Sequence, residues 1–137
     1  MLKLIVGIVV VPVLLILALP VSNILLNEAR LWGFARQLSE VDGLFPHHFE
    51  LLAEGSQVYQ SGNGETCGFR ATRVYHHYGN AETTAAIKTN FDNMSFAPAR
   101  DRADNGLADS YVASSGRYLV VSIQDGVYSA WFDFRCW

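Results

Sequence analysis

Apolar positions fall into three regimes along the chain, and each predicts a different element. From Leu4 to Leu19 the run of Leu, Ile, Val and Ala is broken only by Gly7 and Pro12, and residues 4–22 carry no ionisable side chain. Carried on to Leu26 the stretch has 23 residues. At 1.5 Å per residue it reaches roughly 34 Å, enough for a hydrocarbon core of about 30 Å. A cleaved signal peptide has a shorter apolar core, about 7–15 residues, and a small-residue cleavage site. Ala18-Leu19-Pro20-Val21-Ser22-Asn23 offers no clean site of that kind. Residues 1–26 are therefore read as an uncleaved transmembrane anchor, with residues 4–26 in contact with the lipid bilayer. A cleaved signal and a buried soluble helix are the alternatives.

The second regime is amphipathic. Leu25, Leu31, Trp32, Ala35, Leu38 and Val41 recur at three- and four-residue spacings, and Glu28, Arg30, Arg36, Gln37 and Glu40 fill much of the rest. That period predicts a helical stalk over residues 27–43. Asp42-Gly43 and Pro46 end it. Arg30, Trp32 and Arg36 suit the membrane–water interface. The apolar stripe has two possible partners: its own domain, or a membrane surface or foreign helix.

The third regime, residues 44–137, alternates shorter signals. Val58-Tyr59-Gln60 predicts a short strand, Ser61-Gly62-Asn63-Gly64 a turn, and Phe69 to Tyr78, rich in aromatic and β-branched residues, a second strand. Asn80 suits a helix N-cap, and Thr84, Ile87, Phe91 and Met94 share one face of a helix over 81–94. Residues 99–107 predict a polar loop. Asp125-Gly126 predicts a two-residue hairpin that pairs Gln124 with Val127. In that register Leu119, Val121, Ile123, Tyr128, Ala130, Phe132 and Phe134 share a core face. Ser115-Gly116 predicts the preceding turn, pairing Val112 with Leu119. The sum is an α+β domain: a small antiparallel sheet, ending in a three-stranded meander, packed on one helix.

Charge narrows the partners. The chain carries −3 net and 17% charged residues, against about 25% in average globular chains. Lys3, Arg30 and Arg36 cancel Glu28, Glu40 and Asp42 before residue 43. An acidic head argues against a nucleic-acid partner. Lys and Arg on the two sides of the span nearly balance, so charge does not orient it. The cysteines do. Cys67 and Cys136 are far apart and form no C-x-x-C, which predicts a structural disulfide made in an oxidising compartment. The expected location is the bacterial inner membrane, with the head in the periplasm.

Candidate chemistry is sparse. His47-His48 and His76-His77 are adjacent pairs; neighbours on a strand point to opposite faces, so His76 and His77 do not grip one ion from a sheet face, and a shared ion would need one His from each pair to meet in space. Asp101, Asn105, Gly106 and Asp109 match part of a calcium loop, but Ala103 and Val112 stand where ligands are needed. The glycine-rich 62–68 segment lacks a phosphate-binding Lys and precedes a strand. No G-x-S-x-G is present. No catalytic residue, metal or cofactor is expected, and a non-enzymatic role follows. The remaining feature is aromatic. Tyr111, Val120 and Trp131, with Tyr118 and Trp137 near, are expected on the sheet face away from the core, as a candidate partner surface or a second small core.

An apolar helix, an amphipathic extension, a small α+β head and a disulfide reaching the C-terminus resemble the plan of type IV pilins. The pilin Gly-Phe-Thr-Leu-x-Glu motif is missing; Val6-Gly7-Ile8-Val9 stands in its place, and the apolar run holds no acid. The functional expectation is a single-pass envelope protein acting as a binding or accessory subunit, with another membrane or envelope protein as partner. An anchored small-ligand or inhibitor module is the alternative, and a pilin-like assembly subunit a further one.

Overall fold

The computed structural model describes residues 2–45, 49–61, 66–78, 81–100, 106–129 and 133–136. The element order is α1 (Leu2–Glu40), β1 (Phe49–Ser61), β2 (Thr66–His77), α2 (Ala81–Asp92), β3 (Asp109–Ser115) and β4 (Tyr118–Ser129), with short 3₁₀ turns at Val41–Leu44 and Phe134–Cys136. The four strands form one antiparallel sheet in the order β1-β2-β4-β3. The fold is α+β, with a long apolar N-terminal helix and a Cys67–Cys136 disulfide.

Anchor and stalk are one helix. At 39 residues, α1 is roughly 58 Å long, and it runs through Pro12 and Pro20 without a break. Each proline removes a backbone donor, a loss that membrane helices tolerate. Val10, Val11, Val13 to Ile16, Leu19, Val21, Leu25 and Leu26 are exposed. This helix is long and apolar enough to cross a membrane. Further along, Leu31, Phe34, Leu38 and Val41 are buried against Phe69, Ala71, Tyr75, Leu119, Val121 and Ile123 of the sheet. Fully buried side chains of this size each contribute about 1.5–3 kcal/mol. The stripe thus meets its own domain. Leu31, Ala35, Leu38 and Val41 of the expected stripe are buried or partly so, whereas Trp32 (69% exposed) and Leu25 face out and Phe34 takes their place. The sheet consequently packs on two helices, because Ile87 and Phe91 of α2 and the following Phe96 join the same core.

The C-terminal half departs from the expected meander. Asp125-Gly126 makes no hairpin; β4 passes straight through it and pairs with β2. The register jumps at this point, Gly68 facing Gly126 and Cys67 facing Tyr128, so Val127 is the extra residue of a β-bulge. The bulge restores the hydrophobic phase that a hairpin would also have produced, with Ile123 and Tyr128 both directed to the core. Two features hold the strand straight. The buried Asp125 carboxylate accepts bonds from the Ala99 N–H (2.6 Å) and the Tyr128 hydroxyl. The Tyr59 ring lies over Gly68, where a Cβ would come within 2.4 Å of it.

Three smaller corrections follow. The strand expected at Val58–Gln60 runs from Phe49 to Ser61. The last strand stops at Ser129, and Phe134–Cys136 form a 3₁₀ turn. The β3–β4 turn is Gly116-Arg117, with Ser115 facing Tyr118 and Val112 facing Val121. Gly116 has φ +57°, which favours glycine there. Relative to the expected register this is a slip of two residues, which leaves every side chain on its expected face. Asn80, Ala130, Phe132 and the 62–65 turn lie outside the described residues.

The strands also give the head a near and a far end relative to the apolar helix. Asn27 and Glu28 of α1 meet Asp133 and Arg135 beside the start of β2, whereas Asp42 meets Arg73 toward its end. The disulfide is therefore at the end where the apolar helix leaves the head, and His76, Tyr118 and the β3–β4 turn are at the far end.

Candidate functional site

Two constellations stand out. The first is a clamp where α1 leaves the head. Asp133, 0% exposed, accepts bonds from Asn27 Nδ2 (2.7 Å), Arg135 Nε (2.9 Å), Arg135 Nη2 (2.8 Å) and the Arg135 N–H (3.2 Å). Arg135 also reaches Glu28. The Arg135 guanidinium, helped by Asn27, holds the Asp133 carboxyl below its usual range, although burial opposes this. The Cys67–Cys136 disulfide lies beside it, sealed by Val58. Cys67, Asp133 and Cys136 bring potential ligand atoms within 4.8 Å of one another. The sulfurs are committed to each other and the carboxylate to Arg135, so this cluster is a strut.

A related strut holds the far end. Arg73 donates to Asp42 (2.6 Å) and Glu54 (2.7 Å), and the Tyr75 hydroxyl donates to Asp42 (2.6 Å). Burial pushes the Asp42 carboxyl up, but the bonds from Arg73 and Tyr75 outweigh it and leave the pKa below its usual value.

The second constellation is the sheet face turned away from the helices. Arg70 donates through Nε (3.2 Å) and Nη2 (2.7 Å) to Gln124 Oε1 and lies 5.0 Å over the Tyr59 ring. Together with Thr72, Asp109, Tyr111, Val120 and Ser122 it lines a shallow groove of about 520 Å³. Arg73, three residues on, points into the core side, so the two arginines occupy opposite faces.

The residues expected to form one partner surface are spread along this face. Tyr111 pairs with Ser122, and Tyr118 with Ser115, four residues farther along the hairpin, roughly 13 Å away. Val120 lies between them, half-buried. Trp131 and Trp137 lie outside the described residues, as do His47, His48, Asp101, Asp104 and Asn105. Tyr118 instead joins His76 and Tyr78, neither of which was expected on this surface. The His76 ring packs edge-on against Tyr78 (4.6 Å) and tilted against Tyr118 (5.6 Å). The sequence signal was a bare i, i+2 alternation of His76 and Tyr78 at a strand end. Among the interface candidates, the Arg36 guanidinium lies 5.7 Å over the exposed Trp32 ring, and Arg30 donates to Asn27 Oδ1 (3.3 Å).

His77 points the other way. It is 5% exposed and stacks on Phe49 at 5.2 Å, and neither ring nitrogen has a hydrogen-bond partner among the described residues. Replacing a buried, unpartnered polar ring by an apolar one of like shape removes a desolvation penalty. The His77→Phe variant is expected to melt at the same temperature as the parent or higher. A loss above about 1 kcal/mol would mean that the imidazole is bonded.

These elements define a class: a small α+β head, strutted at both ends, on a helix of membrane-spanning length. No family model, curated protein or solved structure matches the chain. The pilin resemblance is accordingly one of outline.

Proposed function

We propose that this protein is a single-pass membrane subunit that displays its head outside the cytoplasm and acts by binding, as an accessory component of a membrane or envelope complex. The observation that carries the reading is the continuity of α1. From Val10 to Leu26 its described side chains expose leucine, isoleucine and valine, and from Leu31 to Leu38 it forms part of the core of the head. A domain built around its own anchor has its orientation to the bilayer fixed, which suits a subunit that presents a surface to a neighbour. The disulfide supports an oxidising compartment.

A specific observation favours a second reading, an anchored ligand-binding module: the Arg70–Gln124 groove, whose volume lies within the range of about 300–1,000 Å³ usual for small-molecule sites.

Crosslinked co-purification of the full-length chain from native membranes separates the two. A stoichiometric membrane protein supports the subunit reading. Recovery of the chain alone, with a small molecule bound to the head, supports the second. The anchor has its own test. Arginine at the centre of a spanning helix costs about 2.5 kcal/mol of insertion. Leu15→Arg, at an exposed position, is expected to move much of the chain from the alkali-resistant membrane pellet to the soluble fraction. Parent protein that washes off in alkali would sink the anchor.

A further inference from the structure

We propose that the outer edge of β1 receives the β3 edge of a second copy, joining the sheets of neighbours that stand upright in one membrane. The inference rests on the anchor reading for the word upright. Its grounds are the two sheet edges.

Among the described residues both edges are open. Beyond the sheet ladders, no backbone hydrogen bond is made by Ala53–Gln60 or by Asp109–Ser115 among the described residues. Ala53 to Gln57 are exposed throughout. Sheet proteins usually guard such edges with lysine, proline, bulges or brevity. The 53–60 stretch has no lysine, arginine or proline, and its single charge, Glu54, is tied to Arg73. The β1 irregularity lies earlier, between Leu51 and Ala53. Nor does β3 contain lysine, arginine or proline.

Topology selects the partner. In an antiparallel sheet of four strands ordered β1-β2-β4-β3, the two edges run in opposite directions. Here β1 runs toward the anchor end and β3 away from it. A copy shifted sideways in the same membrane therefore brings β3 antiparallel to β1. A β1–β1 contact between upright copies would be parallel, the slightly weaker pairing. Four strands at about 4.8 Å place neighbouring α1 helices roughly 19 Å apart, beyond the 8–10 Å of packed helices, so the spans stay in lipid.

The helix side of the joint has room and opposite charge. Between α1 and β1 runs a groove of about 570 Å³ walled by Trp32, Arg36, Ser39, Glu54 and Ser56. The neighbour's α2, which packs behind β3, arrives beside it exposing Glu82 and Asp92 against one cation, Lys88. Such head-to-tail contact does not close on itself and builds rows.

The test is disulfide trapping of full-length protein in lipid vesicles, with the native disulfide intact. Cysteine replaces Ala53, Gly55 or Gln57 on β1 and Tyr111, Ala113 or Ser115 on β3, all on the open face. Oxidation of chains carrying one change on each edge is expected to give a ladder of dimers and larger species. Singly substituted chains should give none. Adding Ser56→Lys, at an exposed edge position, should remove the ladder while the melt is unchanged. Dimers from single β1 cysteines, or no crosslink from any pair in protein that floats with the vesicles, would overturn the pairing. Crosslinks from protein that does not float would overturn the anchor reading and leave the pairing standing.

Discussion

Replacing Cys67 and Cys136 together by alanine is expected to lower the unfolding free energy of the head by about 4 kcal/mol, read as a fall in the urea midpoint. The bond spans a sequence separation of 69 residues, from the start of β2 to the last turn of the chain. Closing so long a loop removes much conformational freedom from the unfolded chain. The head has about 95 residues, a size at which a single core leaves little surplus, so this loss is a large share of the total. The bond also pins the turn that carries Asp133 and Arg135 beneath α1. Reduction of the parent with dithiothreitol should reproduce the variant's midpoint. A change below about 1 kcal/mol in both would mean that packing around Val58 holds the C-terminus without the bond.

That bond was legible in the sequence because two distant cysteines without a C-x-x-C leave a single structural pairing, whatever the fold. The core face of β4 was legible as well: Leu119, Val121 and Ile123 are fully buried. The hairpin was misread for a physical reason. A two-residue turn and a one-residue bulge both put Ile123 and Tyr128 on one face, so periodicity cannot separate them. What decides is tertiary: the Tyr59 ring over Gly68 and the bonds that hold Asp125 inside. An Asp-Gly dipeptide says turn locally and is overruled by these contacts.

Strand β1 was mostly invisible because an edge strand exposed on both faces lacks the period-two signature of a half-buried one. The same exposure that hid it from the sequence makes it the open edge of the sheet. The helical extension was legible from its period, and it is continuous with the apolar run. The change from all-apolar to amphipathic pattern marks where α1 begins to pack on the head, and not a break in the helix. Of the candidate surface, single residues were legible, but their grouping was not. Tyr118 joins His76 and Tyr78 because β2 lies beside β4, a neighbour relation that the meander reading did not contain.

Arg135→Met tests whether the clamp fixes the head to the apolar helix, and its effect depends on pH. The change strands a fully buried carboxylate, since Asp133 keeps only Asn27 and a backbone N–H. Breaking a buried pair in this way costs about 3–5 kcal/mol. The Arg135 side chain is 34% exposed, so the expected loss at pH 7 is about 3 kcal/mol, at the lower end. In the parent, Asp133 titrates below its ordinary value of 3.8, so its contribution is fully present above that value and fades as pH falls through the folded pKa. In the variant burial is opposed only by the Asn27 and backbone N–H bonds, so the folded pKa lies higher than in the parent, and acid protonates the stranded group and relieves the penalty. The gap between the two proteins should therefore be widest near neutrality and shrink below about pH 4. Urea melts at pH 7 and pH 3.5 measure it. Equal gaps at both would mean that the loss comes from the arginine stem's packing, and the charge clamp would be discarded.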